Sequence, residues 1–133
     1  MWRDVNEEKS VADPGCVFCR IVDGQLPSRQ LYSDDDIIVF QTVTPVAKVH
    51  VLVIPRLHVT LLEEAVEADD PLLGKLIRVG AEVARQMRIT ESGYRLAINQ
   101  GVDAGQVLDH LHVHVMGGQN LYPLGEVLTG TEG

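Results

Sequence analysis

Basic residues, cysteines and long apolar runs are all scarce in this chain. Eleven Lys plus Arg stand against nineteen Asp plus Glu in 133 residues, a formal charge of −8, whereas tracking a nucleic-acid backbone or an anionic membrane calls for a basic face. Neither a polynucleotide nor a membrane is an expected partner. No stretch approaches the roughly 20 apolar residues that span a bilayer. The opening MWRDVNEEKS is polar where a secretory signal carries its apolar segment, so a cytoplasmic protein is expected. Two cysteines, Cys16 and Cys19, cannot staple a fold of this size, and in a reducing compartment a C-x-x-C pair points to metal or redox chemistry. Repeats and low-complexity tracts are also missing. At 45% hydrophobic residues, the length suits one domain with one core.

What is present divides into strands and a single long helix. Residues 1–15 are charged, aperiodic and end in Asp13-Pro14-Gly15, so a mobile leader is expected there. Residues 16–23 suit a short helical turn. Asp70 and Pro71 open the strongest periodic segment as N-cap and first helical residue, and Leu72, Leu73, Leu76, Ile77, Gly80, Val83, Ala84 and Met87 then form one stripe. This predicts an amphipathic helix from Asp70 to about Arg88. The acidic run ahead of it, Glu63, Glu64, Glu67, Asp69 and Asp70, reads as a solvated loop that favours the helix N-terminus rather than as a metal site. Short segments rich in β-branched residues predict strands at 30–32, 37–41, 49–55, 94–99 and 111–116. Ser33 to Asp36 would form a hairpin turn, and Gly101 to Gln106 a loop. An antiparallel sheet covered by helix, an α+β fold, follows.

Three of the five histidines alternate in Asp109-His110-Leu111-His112-Val113-His114-Val115-Met116-Gly117-Gly118. Alternate side chains of a strand share a face, so the imidazoles would line one side while Leu111, Val113 and Val115 enter the core. Three charged imidazoles side by side would repel, so some must stay neutral or be paired. Two chemistries use such a face. Neutral imidazoles ligate a catalytic metal that keeps an open position, or one imidazole attacks phosphorus while its neighbours bind the phosphoryl oxygens. Residue types alone leave both open.

The wider pattern resembles the histidine triad (HIT) family, nearest to its Hint-like branch of nucleotide phosphoramidases. The resemblance is carried by the alternating triad with Met116-Gly117-Gly118, by Gly105-Gln106 and Asn99-Gln100-Gly101 upstream, and by Cys16-x-x-Cys19 and Val51-Leu52-Val53-Ile54-Pro55-Arg56-x-His58 in the first half. It implies a five-stranded antiparallel sheet with one long and one short helix over residues 16–125, continued across a homodimer, and a loose tail at 126–133. It implies hydrolysis at a nucleotide α-phosphate through a covalent nucleotidyl-histidine. His112 would be the nucleophile, His114 a phosphate donor, His110 a supporting residue and His50 an orienting residue behind the triad. Thr42, Val43, Asn99, Gly105, Gln106 and Val107, together with His112 and His114, would contact the nucleotide. Cys16, Cys19, His58 and His110 match the ligands of a structural Zn²⁺, a donor set suited to a closed tetrahedral site. A buried thiol pair or a redox couple is the alternative.

Three positions depart from the family pattern. Val107 stands where a small hydroxyl residue usually meets the phosphate, Thr42 where an Asp grips the ribose hydroxyls, and Asp109 where an aromatic or apolar residue precedes the first His. A shifted nucleoside preference is expected. In the tail, Leu121-Tyr122-Pro123-Leu124-Gly125 is of the kind that reaches the partner subunit's site in Hint-like relatives. Two alternatives accompany the phosphoramidase: a nucleotide-binding or scaffold protein with weak turnover, and a metal-dependent hydrolase on the His110, His112, His114 face.

Overall fold

A computed structural model describes residues 15–123. The expected leader, apart from Gly15, and the expected tail at 126–133 lie outside the described residues. The five strands are β1 (Gln30–Ser33), β2 (Ile37–Gln41), β3 (Val49–Pro55), β4 (Tyr94–Ala97) and β5 (Val113–Gly117), with α1 (Val17–Val22) before them and α2 (Asp70–Gln86) between β3 and β4. Every pairing is antiparallel and the spatial order is β1-β2-β3-β5-β4. The expected α+β architecture is therefore present.

Period-two patterning explains how one sheet is buried on both faces. Val51 and Val53 of β3 join Val113 and Val115 of β5 and Leu76, Val79, Val83 and Ala84 of α2 in one core. Leu52 and Ile54 point the other way, to Ile38, Phe40 and the α1 residues Phe18 and Ile21. Each fully buried Val or Ile contributes on the order of 1.5–3 kcal/mol. Gly80 lets α2 sit close to the sheet, because a Cβ there would come within 3.2 Å of Leu96 Cδ2. The turn between β1 and β2 is closed by Asp34, whose Oδ1 accepts from the backbone N–H groups of Asp36 at 2.8 Å and Ile37 at 2.9 Å.

Four local expectations are corrected. Asp70 is the first helical residue and Asp69 the N-cap. Asp69 is buried rather than solvated, and its carboxylate accepts the Val66 N–H at 2.8 Å, so the acidic run is partly folded into 3₁₀ turns at Leu62–Glu64 and Glu67–Asp69. Ile77 is 43% exposed while Val79 is buried, which turns the apolar stripe slightly from its expected centre. The strand expected from Leu111 begins at Val113. Extending the Val53–Val113 register places Pro55 opposite Leu111, and proline has no N–H for the ladder. Leu111 instead donates its N–H to the Val59 carbonyl.

Candidate active site and metal centre

The sheet register lays out the floor of the site. Phe40 pairs with Leu52, Leu52 with His114, and His114 with Ala97, so these four cross the sheet from β2 to β4 in one row. The adjacent row holds His50, Met116 and Arg95. Phe18 closes the floor from above, its ring edge-on to His112 at 5.2 Å and to Phe40 at 5.6 Å. A cavity of about 1170 Å³ lies over this floor, lined at one side by Val17, Ile21, Leu26 and Phe40 and elsewhere by His50, His112, His114, Asn99 and Arg95. Sequence reasoning missed Phe18 and Arg95. The signal for Arg95 was the alternation that puts it on the same face of β4 as Ala97, the face that lines the cavity.

The hydrogen-bond network assigns the imidazole tautomers. The Val46 N–H donates to His50 Nδ1 at 3.0 Å, so that nitrogen carries a lone pair and Nε2 carries the proton. His50 Nε2–H then donates to His114 Nδ1 at 2.8 Å, which leaves His114 Nε2–H as a donor. His112 works in the opposite sense. Its Nδ1–H donates to the His110 carbonyl at 2.7 Å, so Nε2 keeps its lone pair. Burial lowers His112 and His50 below the usual imidazole value, and burial followed by the charges of His112 and His50 lowers His114 to about 4. All three are neutral at pH 7.

The expected nucleotide contacts separate into two groups. Thr42, Val43, Asn99 and Val107 line the cavity with His50, His112 and His114. Gly105 and Gln106 do not line it. Gly105 ends the 3₁₀ turn Val102–Ala104 at φ 90°, a left-handed conformation that favours glycine. Gln106 buttresses that loop, accepting the Gly101 N–H at 2.8 Å and donating to the Thr60 carbonyl at 3.2 Å. Val43 and Val107 are 94% and 83% exposed at the cavity mouth. Asp109 is exposed, makes no hydrogen bond to an imidazole among the described residues, and presents its backbone carbonyl to Thr60.

The His110 ring is absent from the cavity lining. Its Nε2–H donates to the Pro55 carbonyl at 2.9 Å, which turns the Nδ1 lone pair toward Cys16 Sγ at 3.4 Å and Cys19 Sγ at 3.6 Å. His58 Nδ1 lies 3.1 Å from Cys19 Sγ, and the four candidate ligand atoms fall within 4.8 Å of one another. Zn–S and Zn–N bonds at tetrahedral angles require ligand separations of about 3.3–3.8 Å, so the group fits a closed four-ligand cation site. The carbonyl behind His110 is the outer contact that such a ligand uses to fix its tautomer. Burial lowers His110 to about 4, which keeps the imidazole in its ligating form at pH 7. Among the described residues, no helix is long and apolar enough to cross a membrane.

Comparison with known proteins agrees with this geometry. The HIT domain profile matches residues 23–121. A HIT family hydrolase from Clostridium thermocellum superposes with a TM-score of 0.81 at 39% identity, covering 87% of this chain and 99% of that one. A histidine triad nucleotide-binding protein from Candida albicans gives 0.70 at 27% identity, covering 87% and 88%. A Zn-bound histidine triad family protein from Mycobacterium smegmatis gives 0.68 at 30% identity, covering 80% and 76%. A profile spanning most of the chain, together with structural relatives covered over three quarters or more of their length, places this protein in the histidine triad (HIT) family.

Proposed function

We propose that the chain is a hydrolase of nucleoside phosphoramidates or related nucleotide α-phosphate conjugates, with His112 as nucleophile. The observation that carries this reading is the bond from His112 Nδ1–H to the His110 carbonyl, which aims the chemistry at Nε2 inside the cavity. Attack of Nε2 on phosphorus forms a P–N bond and expels the leaving amine, which takes a proton from water. The imidazolium of the adduct keeps its Nδ1–H on the His110 carbonyl, a charge-assisted hydrogen bond. Water then attacks phosphorus and breaks the P–Nε2 bond, which releases the nucleoside phosphate and restores the His112 lone pair, while the proton that this water loses neutralises the hydroxide left by the first step. His114 Nε2–H is a fixed donor for a phosphoryl oxygen, and His50 positions it. Asn99 and Thr42 are among the polar cavity groups, and we assign them to the phosphate and the sugar. Val43 and Val107 would meet the nucleotide through apolar contact, while Gly105 and Gln106 shape the loop above Asn99.

Cys16, Cys19, His58 and His110 would hold Zn²⁺. The ion supplies a structural cross-link between α1, the segment after β3 and the start of the triad. A domain over 16–125, a homodimer and a cytoplasmic site of action complete the proposal. The β4 edge has no strand partner among the described residues, which supports a sheet continued across two subunits. A monomeric mass in light scattering would remove that last element. Names of the relatives support the same reading, since one structural neighbour is a nucleotide-binding protein and another is Zn-bound.

The decisive comparison is native protein against His112→Ala, assayed for amine release from an adenosine phosphoramidate and for metal per chain. Loss of turnover by about 10³-fold or more with metal retained is the expected result. Metal lost together with His112 indicates a triad-bound catalytic metal instead. Nucleotide affinity without a His112-dependent rate indicates a binding protein.

A further inference from the structure

The cavity is positively charged in an acidic protein. No Asp or Glu lines it, while Arg29 and Arg95 both do. Three cations of the fold are held by local partners outside the cavity: Lys75 pairs with Asp34 at 2.9 Å and Asp36 at 3.0 Å, Arg85 pairs with Glu82 at 2.8 Å, and Arg56 donates to the Asp34 carbonyl and Ser33 Oγ. Arg95 is half-buried on β4, and its side chain makes no ion pair or hydrogen bond among the described residues. What sets Arg95 apart is its place: it lines a cavity that no carboxylate enters among the described residues. A planar, permanently charged fork held in a partly dry cavity is matched by an anion from outside.

The register says where that anion belongs. Across the row Phe40, Leu52, His114, Ala97, the apolar pocket of α1, β2 and β3 lies on one side of the triad and β4 on the other. An apolar nucleobase face fills the first side, the phosphate sits at His112 and His114, and whatever is attached beyond phosphorus projects toward β4. Arg95 is two residues along β4 from Ala97, so its backbone stands about 8 Å diagonally from that of His114, given ~6.8 Å per two residues and ~4.8 Å between strands. An extended arginine side chain is long enough to cross that gap, and Arg95 lines the same cavity as His114. Arg29, exposed at the far end beyond the apolar pocket, is placed to meet the nucleoside side instead.

We propose that Arg95 is a specificity-determining residue whose guanidinium binds an anionic group, a carboxylate or a further phosphate, on the leaving portion of the substrate. This rests on the phosphoramidase reading above. The test uses two adenosine phosphoramidates identical except that the leaving amine carries a carboxylate in one and the neutral carboxamide in the other. Native protein is expected to favour the carboxylate in kcat/KM by about tenfold, a preference that shrinks as salt is raised. Arg95→Gln should bring the ratio near one, Arg95→Lys should keep part of it, and Arg29→Gln should leave the ratio as it is. A native ratio of one, an equal loss on both substrates in Arg95→Gln, or a change of oligomeric mass in that variant overturns the proposal. If native protein turns over neither compound, the phosphoramidase reading has failed, and Arg95 is then judged by calorimetry with adenosine mono- and diphosphate. A loss of about tenfold confined to the diphosphate in Arg95→Gln supports the site, and an equal loss on both nucleotides overturns it.

Discussion

His50 Nε2 lies 2.8 Å from His114 Nδ1, and the Val46 backbone N–H holds the other face of the His50 ring at 3.0 Å. One backbone amide thus sets the protonation of two imidazoles in series and leaves His114 Nε2–H facing the cavity. A cation anywhere in this chain would break it, because protonated His50 at Nδ1 would oppose the Val46 N–H.

Stability should therefore fall on acidification. His114 is lowered from 6.5 in the unfolded chain to about 4 in the fold, chiefly by burial, and His50 is lowered from the same cause. Below pH 6.5 the unfolded state binds more protons than the folded one, so the contribution is full above pH 6.5 and is lost progressively toward pH 4. Urea unfolding at steps across that window should show a declining free energy, with a shallower decline in His114→Gln. A flat profile in the native protein would contradict the assigned neutral tautomers.

Metal removal should destabilise without disabling the triad. Cys16→Ser is the appropriate variant, because Cys16 Sγ also caps α1 by accepting the Cys19 N–H at 3.3 Å and Ser can replace that cap. A site filled at a thousand times its Kd contributes about 4 kcal/mol. Chelated native protein and Cys16→Ser should both melt lower by 10 °C or so, with His112-dependent turnover retained in the folded fraction. Identical melting with and without chelator, and no zinc in the purified protein, would assign the four residues to packing.

Ribose and 2′-deoxyribose nucleotides should bind with affinities within about threefold of each other. The cavity has no carboxylate to accept both hydroxyls of the diol, and Thr42 Oγ1 already accepts the Thr44 N–H at 3.2 Å. Thr42→Asp should raise selectivity for the ribonucleotide to roughly tenfold, and Val107→Ser should raise turnover of an adenosine phosphoramidate. Strong ribonucleotide preference in the native protein, measured by calorimetry, would mean that another group reads the diol.

Arg88→Gly should stabilise the fold by about 1 kcal/mol, or roughly 4 °C in Tm. Arg88 sits at φ 64° just past α2. Ile89 donates to the Ala84 carbonyl and Arg88 to the Arg85 carbonyl, the pairing of a helix end that favours glycine at this position. An unchanged or lower melting temperature would show that the Arg88 side chain offsets its backbone strain.

Local periodicity determined much of this protein in advance. Alternation placed His112 and His114 opposite the core residues Val113 and Val115, three- and four-residue spacing made α2, and the strand positions were legible because β-branched residues pack on pleated surfaces. Residue chemistry singled out the Cys16, Cys19 pair, and the resemblance to the HIT family added His58 and His110 as the matching donors. Only the tertiary structure decided what each histidine does. His110 meets Cys16 across 94 positions of sequence, and it turns away from the cavity because the ladder cannot continue past Pro55. The tautomers of His50, His112 and His114 come from a backbone amide and a carbonyl that have no signature in residue type. Arg95 is an ordinary charged residue until the order β3-β5-β4 sets it beside His114 in a cavity free of acids. Side-chain periodicity is a property of neighbours along the chain, whereas proton positions and unpaired charges depend on groups brought together by strand order.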